Sequence, residues 1–273
     1  MAQGESERHF YLPNEVAWSN LMHLQERYLQ GWVTVYTNRH AWESILRVYL
    51  PDRIDVSRLQ LQLQPGQTPQ VAAYSVDAHP SDQGERDHGA GAGAILERII
   101  MDLPARSVHR RDILYVKCSP PSDNDAQSQW NSAMKAAVAP LGQRHVTRAL
   151  YFILGVGMEW LPFYWDPRSP APAGKALRMA AGGGEGEKES TSSWYEVSPE
   201  VRPPPGIDSG HVDGEGVVRT DRAKSLDCFT VAPTGAAGEV PGLAFQRDLD
   251  FLEEFIGVVE RHAYVGENDP DSE

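Results

Sequence analysis

Apolar residues recur at three- and four-residue spacing from Ala17 through Leu21, Leu24 and Tyr28, which predicts an amphipathic helix over 14–29. Asn14 is placed to cap it and Gly31 to stop it. The β-branched and aromatic run Trp32-Val33-Thr34-Val35-Tyr36 predicts a strand. Asn38 then reads as the cap of a second helix, with Ala41, Trp42, Ile45, Leu46 and Tyr49 on its apolar face and Pro51 ending it. Leu59, Leu61 and Leu63 alternate with Gln60, Gln62 and Gln64, a period of two that predicts a half-buried strand. Pro65-Gly66 turns the chain toward a hairpin partner over 71–76. The segment 94–103 reads as a helix ending before Pro104, and 113–118 as a strand closed by Ser119-Pro120-Pro121.

The next helix is expected to start at Asp123 or Asp125, carry Trp130, Met134, Ala137 and Val138 inward, and end at Pro140. The run Ala149-Leu150-Tyr151-Phe152-Ile153-Leu154-Gly155-Val156 has no alternation, which fits a central strand covered on both faces. Residues 226–231 read as a strand. In the last helix, over 247–262, Leu249, Leu252, Phe255, Ile256 and Val259 line one side. The order of elements predicts an α+β fold: a mixed, largely antiparallel sheet packed by several amphipathic helices. Three stretches break the pattern: 79–93 and 167–193, expected to be flexible, and 203–216, expected to be irregular; 1–8 and 266–273 read as tails. The C-terminal strand and helix are too small to fold alone, so a single interrupted domain over 9–265 is expected.

Charge narrows the partners. With 25 basic and 38 acidic residues among 273, the net charge is −13, which argues against nucleic acid and against anionic membranes. The basic cluster Arg106-Ser107-Val108-His109-Arg110-Arg111 reads as a solvated turn leading into a strand. Two cysteines, Cys118 and Cys228, both sit in apolar surroundings and are expected to be buried thiols, which favours a reducing, cytoplasmic setting.

Motifs give less. Gly89-Ala90-Gly91-Ala92-Gly93-Ala94 fits a dinucleotide-binding pattern but follows a polar loop instead of a strand, so it reads as loop. Cys118 with His109 or His145 would be a thiol–imidazole pair if the fold brought them together. Asp208, His211, Asp213 and Glu215 gather three carboxylates and an imidazole in a Gly-rich turn, the best candidate metal ligands. Trp160, Phe163, Tyr164 and Trp165 form an aromatic segment, which would bind a ligand or partner if it lay open. No catalytic motif or cofactor site stands out. The expectation is a binding or regulatory protein that recognises a protein partner or small molecule; the alternative is an enzyme with a scattered site, metal-assisted through the 208–215 loop.

Overall fold

A computed structural model describes residues 9–13, 16–50, 70–78, 93–102, 107–121, 125–181, 194–232 and 242–264. The described chain runs α1 (Val16–Leu29), α2 (Val35–Tyr49), β1 (Gln70–Ala78), β2 (Gly93–Asp102), β3 (Ser107–Ser119), α3 (Ala126–Arg144), β4 (Leu150–Val156) and β5 (Glu159–Trp165). Short strands follow: β6 (Arg178–Ala180), β7 (Trp194–Glu196), β8 (Val201–Arg202) and β9 (Lys224–Ser225), and then α4 (Gln246–Tyr264). This is an α+β fold.

The main sheet has the order β1-β2-β3-β4-β5-β8, with β9 also paired to β5. All its pairings are antiparallel except β3 with β4, which are parallel and joined through α3. A parallel pair needs such a crossover, because a tight turn cannot return the chain to the same end.

Every residue of β4 is buried. Its side chains alternate: Tyr151 and Ile153 join an apolar cluster with α1, α2 and α4, whereas Leu150, Phe152, Leu154 and Val156 join one with α3. β5 repeats the division, with Trp160 on the first face and Leu161, Phe163 and Trp165 on the second. Phe152 and Phe163, opposite each other in the ladder, stack at 5.3 Å. The sheet is therefore the middle of three layers, and the apolar run predicted as the centre of the core occupies that place.

Several elements differ from expectation. The run 32–36 is not a strand: Thr34 caps α2, its hydroxyl accepting from Thr37 N at 3.1 Å, so Val35 and Tyr36 begin the helix. A cap plus the burial of Ala41, Trp42, Ile45 and Leu46 outweighs β-propensity. Residues 93–102 form β2, hydrogen-bonded on both edges, where a helix was expected over 94–103. Apolar positions there fit either period, and the isoleucines favour the sheet. The cluster 107–111 belongs to β3 instead of a turn. Pro140 lies inside α3, not after it, and the helix runs on to bury Leu141. Asp125 is the cap, accepting from Ser128 N at 3.0 Å.

The segment expected to be flexible over 167–193 is built as far as residue 181, with Ala176, Leu177 and Met179 buried. In place of a strand over 226–231 the chain has only the two residues of β9 and an isolated bridge between Val231 and Leu243. α4 matches its predicted face: Leu249, Leu252, Phe255, Ile256 and Val259 are all buried. The expected strand over 59–63, the Asn14 cap and most of 79–93 lie outside the described residues.

Candidate functional site

The corner between α1 and α2 is built from local rules. Gly31, at φ 70°, holds the left-handed position that ends α1. Trp32 N donates to Arg27 O at 2.8 Å and Gly31 N to Tyr28 O at 3.1 Å, the two hydrogen bonds of a Schellman motif. In that motif the residue after the glycine packs back on the last turn. Here the Arg27 guanidinium lies 6.0 Å from the Trp32 ring centroid. Val33 then turns inward and Thr34 caps α2.

The corner is fastened to the sheet. Asn38, fully buried, donates from Nδ2 to Gly157 O at 3.0 Å in the β4–β5 turn. Gly157 N donates in turn to Ser119 O at 3.1 Å, at the end of β3. Gly157 has φ 59°, and a Cβ there would come within 3.0 Å of the Tyr28 ring. What this rigid support presents to solvent is apolar: Leu29 is 76% exposed, Trp32 65%, Tyr36 59% and Tyr28 43%. The Arg39 guanidinium lies 5.4 Å from the Tyr36 ring while its Nε pairs with Glu43 at 3.1 Å. Sequence reasoning placed 32–36 in a strand and so missed this surface. Its signal was present in the Tyr-Leu-Gln-Gly-Trp order of residues 28–32, a helix C-terminus followed at once by a large ring.

The aromatic segment singled out from sequence is instead core. Trp160 is buried against Trp42, Phe251 and Phe255, with ring centroids at 5.9, 5.9 and 6.5 Å. Phe163 and Trp165 are buried on the other face, and Trp165 Nε1 donates to His145 O at 2.8 Å. Tyr164 is half-buried and packs on Tyr151 at 4.9 Å. Trp160, Phe163 and Trp165 are buried in the apolar clusters of their own chain and Tyr164 is half-buried, so the four rings form no open binding patch.

The 208–215 loop spends its carboxylates on its own backbone. Asp208 Oδ1 accepts from Gly210 N at 3.0 Å, and Asp213 Oδ1 accepts from Glu215 N and Val217 N, each at 2.9 Å. Glu215 is exposed, whereas His211 is fully buried with its ring edge-on to Phe163 at 4.8 Å. Neither ring nitrogen of His211 has a hydrogen-bond partner among the described residues. Burial, with Lys224 adding to it, pushes its pKa down to about 3. Among the described residues no group of three or more His, Cys, Asp or Glu side chains is placed to share a metal ion.

Cys118 and Cys228 are both buried, neither in a disulfide. His145 Nε2 sits 3.3 Å from Asp112 Oδ2. Six positions separate Asp112 from Cys118 along β3, about 20 Å at the rise of a strand, so the fold does not bring His145 to that thiol. The His109 side chain lies outside the described residues, as do residues 89–92 of the glycine pattern.

A concave region of about 1050 Å³ opens between the loop at 206–210, Arg222, β9 and the first half of α4. It is lined by Asp208, Arg222, Lys224, Arg247, Asp248 and Glu254 among others. Beside it, Tyr11 donates to Asp250 at 3.1 Å and Tyr49 to Glu253, which also meets His9, tying the segment 9–13 to α4. Burial and the charge of Glu253 hold the Tyr49 hydroxyl well above its ordinary range.

Compared with known proteins, the chain matches no family model, no curated protein and no solved structure.

Proposed function

We propose that this protein is a binding protein that recognises a protein partner through the α1–α2 corner. One observation carries the reading: Trp32 and Tyr36 stand out in water on a backbone fixed by a Schellman motif, a helix cap and a buried amide bridge. Large exposed rings cost solubility unless something covers them. Trp, Tyr and Arg are the residues that dominate interface hot spots, and a rigid support reduces the ordering cost of binding. Arg27 and Arg39 lie against the same rings, and the chemistry fits a partner that offers aliphatic or proline side chains to them.

The test is site-specific photocrosslinking in the source cell, with the crosslinker at position 32 and, as a control, at the exposed position 175. The expected result is a discrete adduct from position 32 that is absent from position 175 and lost in Tyr36→Ala. An adduct of twice the chain mass would identify the partner as a second copy. The same adducts from both positions, or none from position 32, would contradict the proposal.

A further inference from the structure

Lys224 differs chemically from the other cations of the 206–254 cleft. Its backbone is pinned: Lys224 pairs with Trp160 in the sheet, and the next residue, Ser225, donates its N–H to Asp248 Oδ2 at 3.0 Å. Its side chain is half-buried, and its Nζ lies 4.1 Å from the centroid of the Phe251 ring. Among the described residues the ammonium makes no hydrogen bond and no ion pair, and it lines a space of about 1050 Å³. Exposed Arg222 and Arg247 stand on the same wall, each without a carboxylate partner among the described residues.

We propose that Lys224 is the reacting group of a small-molecule site in this cleft, its amine condensing with the carbonyl carbon of a small aldehyde or ketone that bears an acidic group. Three features fit. Partial burial takes from the amine the hydration that stabilises its charge and a second cation nearby adds to the effect, whereas the Phe251 ring face opposes it by attracting the cation. Burial indeed lowers its pKa, with Arg247 acting in the same direction, while Asp248 and Asp208 oppose. The arginines on the rim supply charge for a carboxylate or phosphate on the same small molecule.

The step balances without a cofactor. The lone pair of the neutral amine forms the N–C bond as the carbonyl π pair moves to oxygen. That oxygen gains a proton and the nitrogen sheds one, giving a carbinolamine. Its hydroxyl then leaves as water and a C=N bond forms, so amine and carbonyl compound become imine and water. Asp208 and Asp248, whose charges the amine feels, line the same cleft beyond direct hydrogen-bond reach of the amine, so the protons pass to and from solvent water.

The chain has few competitors for the test, since its lysines are Lys117, Lys135, Lys175, Lys188 and Lys224. Intact protein is incubated with glyoxylate and cyanoborohydride at pH 7.5, and the trapped secondary amine is mapped by peptide mass spectrometry. Lys224 is expected to be modified at least about fivefold faster than the exposed Lys175, because Arg222 and Arg247 on the same wall hold the glyoxylate carboxylate near its amine and burial favours the neutral form. Lys224→Arg removes the fast fraction and leaves Lys175 unchanged. Modification of Lys224 at or below the rate of Lys175 would overturn the proposal; this ratio is read on the native chain and holds even if Lys224→Arg fails to fold.

Discussion

Asn38 is a polar side chain with no exposure, and its amide joins α2 to the turn that links β4 and β5. Removing one partner of a buried hydrogen bond leaves the other unsatisfied, so Asn38→Ala should cost about 1–3 kcal/mol in urea denaturation. Gly155 is constrained by space, not by backbone angle: a Cβ there would sit 3.1 Å from Trp42 Nε1, in a strand where every residue is buried. Gly155→Val should destabilise by about 1–3 kcal/mol, the range for overpacking, and a stability equal to wild type would mean that Trp42 moves aside freely. His211 gives the chain a dependence on acid. Its folded pKa, pushed down to about 3, lies below that of the unfolded chain, which binds a proton near pH 6.5. Above that pH both states are neutral and nothing is lost. As pH falls from about 6.5 toward 3 the unfolded state takes up a proton that the folded state refuses, and stability drops by about 1.4 kcal/mol per pH unit. His211→Phe should remove that slope. Between pH 6.5 and 5 the wild type should therefore lose about 2 kcal/mol more than the variant, and parallel curves would show that the ring titrates normally.

At the scale of elements, α4 was legible because it has one clear apolar face, and α3 through its Asp125 cap and the spacing of Trp130, Met134 and Ala137, although its end was not, since the helix runs on past Pro140. Asp125→Ala should lower stability by about 0.5–2 kcal/mol, measured by thermal melting, through the loss of its bond to Ser128 N. β4 was legible for a different reason: seven apolar residues without alternation leave a covered central strand as the natural place for them. β2 was not, since Ile95, Leu96, Ile99 and Ile100 satisfy a helical spacing as well as a strand. What decides between them is the pair of ladders to β1 and β3, which no local window contains. Thr34 reversed the reading of 32–36, because its capping hydroxyl acts on the helix that follows while its own propensity points to a strand. The aromatic run from Trp160 to Trp165 stood out in the sequence, but whether it lies open or buried depends on what the rest of the chain packs against each face of β5, which no local window contains. The exposed corner went unseen for the complementary reason: exposure of Trp32 is set by the Schellman turn.

The chain carries a net charge of −13, and its described residues bury two apolar clusters that share one sheet. β5 precedes residues 182–193, whereas its partners β8 and β9 follow them. A chain cut by protease within 182–193 should therefore keep both fragments together in size-exclusion chromatography under native conditions. The same connection underlies the proposal of a single cooperative unit, for which different spectroscopic probes should report one coincident unfolding transition. Two proposed surfaces lie on this frame, a rigid aromatic corner for a protein and a polar cleft for a small molecule, and they share no residue.

The claim that the corner is a surface and the β5 rings are core is tested most directly by comparing two tryptophan truncations in urea. Trp160→Ala should cost about 3–5 kcal/mol or prevent folding, as for a large buried ring, whereas Trp32→Ala should stay within about 0.5 kcal/mol of the wild type. If Trp32→Ala proves as damaging as Trp160→Ala, the Trp32 ring is part of the interior and the binding surface proposed here does not exist.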